Sequence, residues 1–200
     1  MARDGNLPEE VISWMAHRWS PERERMGLLV IDMQEYFRPL ASGIVEKVVA
    51  LLDAFRRAER PVVFTAHGHR DPSVDGGMLA RWWGEVILEG SFDHRLMDEL
   101  SPREGERIIA KRRYSAFFGT DLEECLRNQG VEDLVICGVM TNLCCETTAR
   151  DAFMRDFRVF FVHDATATAD WELHLASLKN LAYGFAVVLG VEEVIDALAL

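Results

Sequence analysis

The sequence predicts a doubly wound α/β fold: a six-stranded, mostly parallel sheet with helices on both faces, a three-layer Rossmann-like arrangement. Three observations lead there. Short runs that are apolar throughout, rather than alternating, recur along the chain, and such strands belong to parallel sheets covered on both faces. Longer amphipathic stretches separate these runs, as in right-handed βαβ crossovers. Finally, 200 residues suffice for one well-buried domain and are too few for two, so a single domain over residues 1–200 is expected.

Taken in order, residues 1–26 carry Val11, Ile12, Trp14, Met15 and Trp19 and read as a leader helix packing on the body or on a neighbour. The run 27–31 (Gly-Leu-Leu-Val-Ile) is the first strand, and 43–59, rich in Val, Leu and Ala, the first crossover helix. Residues 61–65 make the second strand. Residues 67–100 form the longest stretch without a clear strand, and long excursions in compact domains tend to be functional, so a lid or one wall of a site is expected there. The third strand is 107–110, with a helix at 119–129; the fourth is 134–139, with a helix at 143–155. The fifth strand is 159–162 with a helix at 172–183, the sixth 186–189, and a helix at 191–199 closes the chain.

Composition narrows the function classes. The apolar fraction of 49% and the charged fraction of 28% are ordinary globular values. No apolar run approaches the roughly 18 residues of a membrane helix. The start, Met1-Ala2-Arg3-Asp4-Gly5-Asn6, lacks the apolar core of a signal peptide, so a cytoplasmic protein is expected. A net charge of −11 repels phosphate backbones, which argues against nucleic acid and for a small-molecule partner. Of 22 basic residues only Lys47, Lys111 and Lys179 are lysine, the basic type that can release a proton. The cysteines at 125, 137, 144 and 145 have no metal-ligand spacing and read as reduced thiols.

In open parallel sheets ligands bind beyond the carboxyl ends of the strands. The residues that end the strands are Asp32, His67, Lys111 and the pair His163-Asp164, while the fourth strand runs into Met140-Thr141-Asn142-Leu143-Cys144. A carboxylate, a lysine and a thiol on one rim form a plausible catalytic set. Cys144 stands where a helix begins, a position that lowers a thiol's pKa, as does a nearby lysine. Its N–H, with that of Met140, is placed to hold an oxyanion. Each residue also has a bland reading: a structural cysteine, a loop acid, the start of a solvated Lys-Arg-Arg run. Their convergence in the fold is what favours chemistry. A redox-sensing protein built on Cys144 and Cys145 is the non-catalytic alternative, and it gives Asp32 and Lys111 no use.

The segments Leu29-Val30-Ile31-Asp32-Met33-Gln34, Lys111-Arg112-Arg113-Tyr114-Ser115-Ala116-Phe117 and Cys137-Gly138-Val139-Met140-Thr141-Asn142-Leu143-Cys144 resemble the isochorismatase-like cysteine hydrolases. Thr148-Ala149-Arg150-Asp151-Ala152 and Asp164-Ala165 extend the resemblance, which covers roughly residues 25–190. The resemblance implies a six-stranded parallel sheet and an Asp–Lys–Cys triad, with Asp32 as general base, Lys111 supporting the ionised pair and Cys144 as nucleophile. It also implies a cis peptide at Val139–Met140, oxyanion donors at Met140 and Cys144, and a homodimer or homotetramer. The reaction implied is hydrolysis of a small amide or ureido compound, with isochorismate hydrolysis, Asp32 acting as acid, as the runner-up. Leu79, Trp82, Trp83 and Gly84 resemble the isochorismatases proper, yet Cys144 is retained. Nicotinamidases of this family carry a metal site after the second strand; here His67 and His69 stand alone, so no metal is expected beyond a weak zinc possibility at that pair. Phe37, His67, Trp83, Tyr114 and Phe117 follow motif residues and are expected to wall the pocket, with core packing the bland alternative for the aromatics.

Overall fold

Six strands, β1 (Met26–Ile31), β2 (Val62–His67), β3 (Arg107–Lys111), β4 (Asp133–Val139), β5 (Arg158–Ala167) and β6 (Val187–Leu189), form one all-parallel sheet in the order β3-β2-β1-β4-β5-β6. The computed structural model describes residues 7–199. Nine helices lie among the described residues: α1 (Glu9–Ile12), α2 (Arg38–Ala41), α3 (Val45–Arg57), α4 (Pro72–Asp75), α5 (Gly77–Trp83), α6 (Leu122–Asn128), α7 (Glu146–Phe153), α8 (Trp171–Gly184) and α9 (Val191–Ala199). Winding reverses between β1 and β4, and such a switch opens a crevice at the carboxyl ends of the strands.

Every residue of β1, β2 and β4 is buried, which is why these runs are apolar without alternation. Adjacent β1 residues still serve opposite faces. Leu28 and Val30 pack with residues of α3 and α9, while Leu29 and Ile31 pack with those of α6, α7 and α8. Only β3, at the sheet edge, alternates, leaving Ile108 exposed. Asp170 caps α8 by accepting from the N–H groups of Glu172 and Leu173, a contact worth about 1 kcal/mol.

Two expectations are revised. The leader helix shrinks to the four residues of α1 after Pro8, and the chain then runs without regular structure until a single 3-10 turn at Arg23–Arg25. Val11 is buried and Trp14 packs edge-on against Tyr183, so those apolar residues dock individually instead of forming one helical stripe. Residues 1–6 of that segment lie outside the described residues. The fifth strand continues past His163 to Ala167, with a register shift opposite β4 between Ile136 and Gly138. The 67–100 excursion contains α4 and α5, is bridged within itself from His69 to Leu88, and is tied to the segment after β1 by the bridge from Gln34 to Leu96.

Candidate active site

At the end of β1 the backbone turns sharply, with Asp32 at φ +48°, in the left-handed region that aspartate tolerates better than most residues. Thr65, in mid-β2, fixes the turned residue: its hydroxyl donates to Asp32 Oδ1 at 2.6 Å and accepts from the Asp32 N–H at 3.1 Å. Asp32 Oδ2 lies 2.7 Å from Lys111 Nζ, both side chains fully buried. That contact is an ion pair without hydrogen-bond alignment, and Oδ2 has no other partner. Lys111 Nζ also donates to Arg113 O (3.0 Å), Tyr114 O (3.3 Å) and Cys144 Sγ (3.3 Å).

Cys144 rides on a single π-helical turn, Thr141–Cys145, between β4 and α7. The peptide between Val139 and Met140 is cis. Met140 O accepts from the N–H groups of Leu143 and Cys145, each at 3.1 Å, closing the turn. β4 comes so near β1 here that a Cβ on Gly138 would stand 2.1 Å from Ile31 O. Asp32, Lys111 and Cys144, from three strand ends, therefore meet beside the switch point.

Burial pushes the Cys144 thiol up to about 12, against a downward pull from Lys111. The thiolate-lowering effect expected of a helix start and a lysine is outweighed by desolvation, and Asp32 adds to the upward push. For Lys111, burial works to lower the pKa, but Asp32 and Cys144 more than offset it and hold the ammonium above its ordinary value. The resting site is a thiol beside the Lys111 ammonium, which sits against the Asp32 carboxyl group. Burial, helped by Lys111, lowers His67 to about 4, so its imidazole is neutral.

A cavity of about 590 Å³ opens over Cys144, in the range of small-molecule sites. Phe37, His67, Trp83, Tyr114 and Met140 line it, with Tyr36, Pro39 and Leu40 from the segment after β1. Leu79 and residues 85–87 of the 67–100 excursion form another wall of it. Phe117 does not line it: its ring sits in the core 5.8 Å from Phe157, so of the five aromatic and histidine residues expected there, this one packs instead. A second, open groove of about 720 Å³ shares Leu79, Trp83, Tyr114 and Leu143 with the cavity, and the Trp83 Nε1–H donates to Tyr114 Oη at 2.8 Å in that shared wall.

Several supporting residues escaped the reading by strand ends. Gln34, buried, donates to the carbonyls of His67 and His94 and accepts from the His67 N–H, locking the segment after β1 onto the excursion. Thr65 hides inside an apolar strand, and its role depends on the β1–β2 pairing. Glu85 is the one carboxylate in the cavity lining, which holds no lysine or arginine.

His67 and His69 lie side by side at the end of β2. Their ring centroids are 5.1 Å apart, and His69 Nδ1 is committed to Asp75 Oδ1 at 3.1 Å. His67 Nδ1 and His69 Nε2 are buried without partners. Among the described residues no group of three or more His, Cys, Asp or Glu gathers as ligands, and a resident metal ordinarily takes at least three protein donors. Nor, among those residues, is any helix long and apolar enough to cross a membrane.

Known proteins resemble this chain in sequence and in fold. The isochorismatase domain profile matches residues 26–193. Nicotinamidase 3 of Arabidopsis thaliana is 47% identical over 86% of this chain and 88% of its own. Enterobactin synthase component B of Escherichia coli (strain K12) is 34% identical over 90% of this chain and 65% of its own. Among solved structures, a cysteine hydrolase from Pseudomonas syringae pv. phaseolicola superposes with a TM-score of 0.87 at 30% identity, covering 91% of this chain and 96% of that one. An N-carbamoylsarcosine amidase from Thermoplasma acidophilum gives 0.76 at 30% identity, covering 84% and 97%.

Proposed function

This chain belongs to the isochorismatase family of hydrolases, and we propose that it is a metal-independent cysteine amidohydrolase acting on a small, neutral carboxamide, nicotinamide being the first candidate. The observation that carries the reading is the convergence of the Cys144 thiol, Lys111 and Asp32 under a cavity whose lining offers aromatic faces and no lysine or arginine. Isochorismate carries two carboxylates, and the cavity lining offers no lysine or arginine to pair with them. A planar neutral amide fits between Phe37, Trp83 and Tyr114, with the neutral His67 as a hydrogen-bond acceptor. The similarity to Nicotinamidase 3 and to N-carbamoylsarcosine amidase supports amide chemistry.

In this mechanism Asp32 removes the thiol proton as Sγ attacks the carbonyl carbon, and Lys111 stabilises the anionic side chains throughout. The N–H groups of Met140 and Cys144 receive the tetrahedral oxyanion. Protonated Asp32 then gives its proton to the leaving amine, the C–N bond breaks and a thioester remains. Asp32 next takes a proton from water, whose oxygen attacks the thioester, and the acid leaves as the thiol regains its proton. His67 and His69 act as substrate-facing and structural groups, not as ligands.

A turnover screen on neutral carboxamides, ureides and isochorismate tests the reading. Amide turnover, a thioester adduct in the intact mass during turnover, and unchanged kcat after dialysis against a strong chelator are expected. Isochorismate turnover that survives Cys144→Gly, with no amide hydrolysed by the wild type, would establish the vinyl-ether alternative. Activity lost to the chelator and restored by zinc would overturn metal independence.

A further inference from the structure

The turn that carries Cys144 is tied at its first two residues to α8 and to the segment after β5. Thr141 is fully buried, and its Oγ1 lies 2.9 Å from Nδ1 of His174 on α8, itself buried. Trp171 stacks on the His174 ring with centroids 5.3 Å apart and fixes its orientation. The next residue, Asn142, accepts through Oδ1 from Thr168 Oγ1 at 2.6 Å. On the buried face of α8, Leu178, Leu181 and Ala182 pack into the core, whereas the two polar residues there both reach toward the turn and the helix after it. His174 meets Thr141, and Ser177 donates to Glu146 in α7 at 2.5 Å. A leucine at 174 would satisfy the core without the desolvation an imidazole suffers, and no step of the proposed chemistry uses His174.

Building on the amidohydrolase reading, we infer that His174 and Thr141 form a positioning pair that fixes the π-turn, and so sets where the Cys144 thiol and the Met140 and Cys144 N–H groups stand relative to Lys111 and Asp32. A π-helical turn has poorer internal hydrogen bonding than an α-turn and is common at functional sites. Here its closure rests on Met140 O and on ties from outside, and the thiol's own tie is Lys111 at 3.3 Å. Small misplacement of a nucleophile against its oxyanion donors costs turnover far more than substrate binding.

Four variants separate positioning from packing. Thr141→Val removes the hydroxyl at nearly constant volume, and Thr141→Ser keeps it. His174→Leu removes the ring nitrogen, and His174→Asn keeps a polar atom near the Nδ1 position. In Thr141→Val and His174→Leu, kcat should fall about tenfold or more while KM stays within about twofold. Thr141→Ser and His174→Asn should recover most of the loss, and the Val/Leu double variant should be no worse than the singles. Iodoacetamide alkylation of Cys144, followed by mass at fixed pH, should slow in the Val and Leu variants and recover in Ser and Asn. Wild-type kcat and alkylation in Thr141→Val, or equal losses in the rescuing variants, would overturn the pair. If the wild type turns over no amide, the amidohydrolase reading fails by itself, and the alkylation series still decides the positioning role. The near-isosteric Thr141→Val keeps the test decisive should His174→Leu fail to fold.

Discussion

Cys144 lines the cavity and receives the Lys111 ammonium, whereas Cys145, one residue on, faces the core with no exposure. Burial, together with Cys144 and Asp32, raises the Cys145 thiol well above its ordinary value, and unlike Cys144 it neither lines the cavity nor receives a hydrogen bond from Lys111. Cys144→Ala is therefore expected to lower kcat at least about 10³-fold, the scale of losing a nucleophile. Cys145→Ala should retain most activity, with a modest loss of stability from a small cavity. Steady-state kinetics on the amide that the screen identifies, with thermal denaturation of both variants, checks this, and the opposite ranking of activities would move the nucleophile to 145. At this scale the sequence was readable where residues end strands, because strand ends converge whatever the details of packing. It was silent on Thr65, whose contact with Asp32 depends on β1 and β2 being neighbours, and it misplaced Phe117, since an aromatic after a motif looks the same whether it faces a cavity or a core.

The elements that position the site are β1 and β4, and their closeness has one visible requirement. Gly138 sits at φ +115°, and any Cβ there would collide with the Ile31 backbone, directly before Asp32. Neither the conformation nor the space admits a side chain. Gly138→Ala is expected to prevent soluble folding, or, where protein is recovered, to separate β4 from β1 and remove activity with it. Circular dichroism and solubility of the variant read this, and a stable, fully active Gly138→Ala would refute the account of the switch point. Strands and crossover helices were legible because apolar runs and amphipathic stretches alternate. The leader was not: Val11, Trp14 and Met15 are spaced plausibly for a helix, yet Pro8 confines the start and each side chain docks on a different neighbour. The full length of β5 was hidden because His163 and Asp164 look like the end of a strand, although pairing with β4 continues to Ala167.

For the molecule as a whole, the acidic balance and the six parallel strands were open to the sequence, but the set of buried histidines that the fold holds neutral was not. Burial lowers His67, with help from Lys111, and His174, with help from His163, each to about 4, and it lowers His163 as well. In the unfolded chain these rings titrate near 6.5, so between there and about 4 the unfolded state binds more protons than the folded one. Their contribution to stability is present above pH 6.5 and is lost as pH falls through the folded values. His67 and His174 each contribute on the order of 1–3 kcal/mol over that span. The lowered carboxylates act separately: Arg38 holds Glu99 at about 2 and Glu35 below its usual value, so their loss comes mainly below pH 4.5. Those surface pairs are solvent-exposed on at least one side and weigh little. The urea midpoint should thus fall steadily between pH 6.5 and 4, before the carboxylates protonate. His174→Asn, which cannot take up a proton but keeps a polar partner for Thr141, should flatten that slope while leaving the midpoint at pH 7 little changed. A midpoint flat from pH 7 to 4 in the wild type, or an unchanged slope in His174→Asn, would show that these rings are not buried neutral in solution.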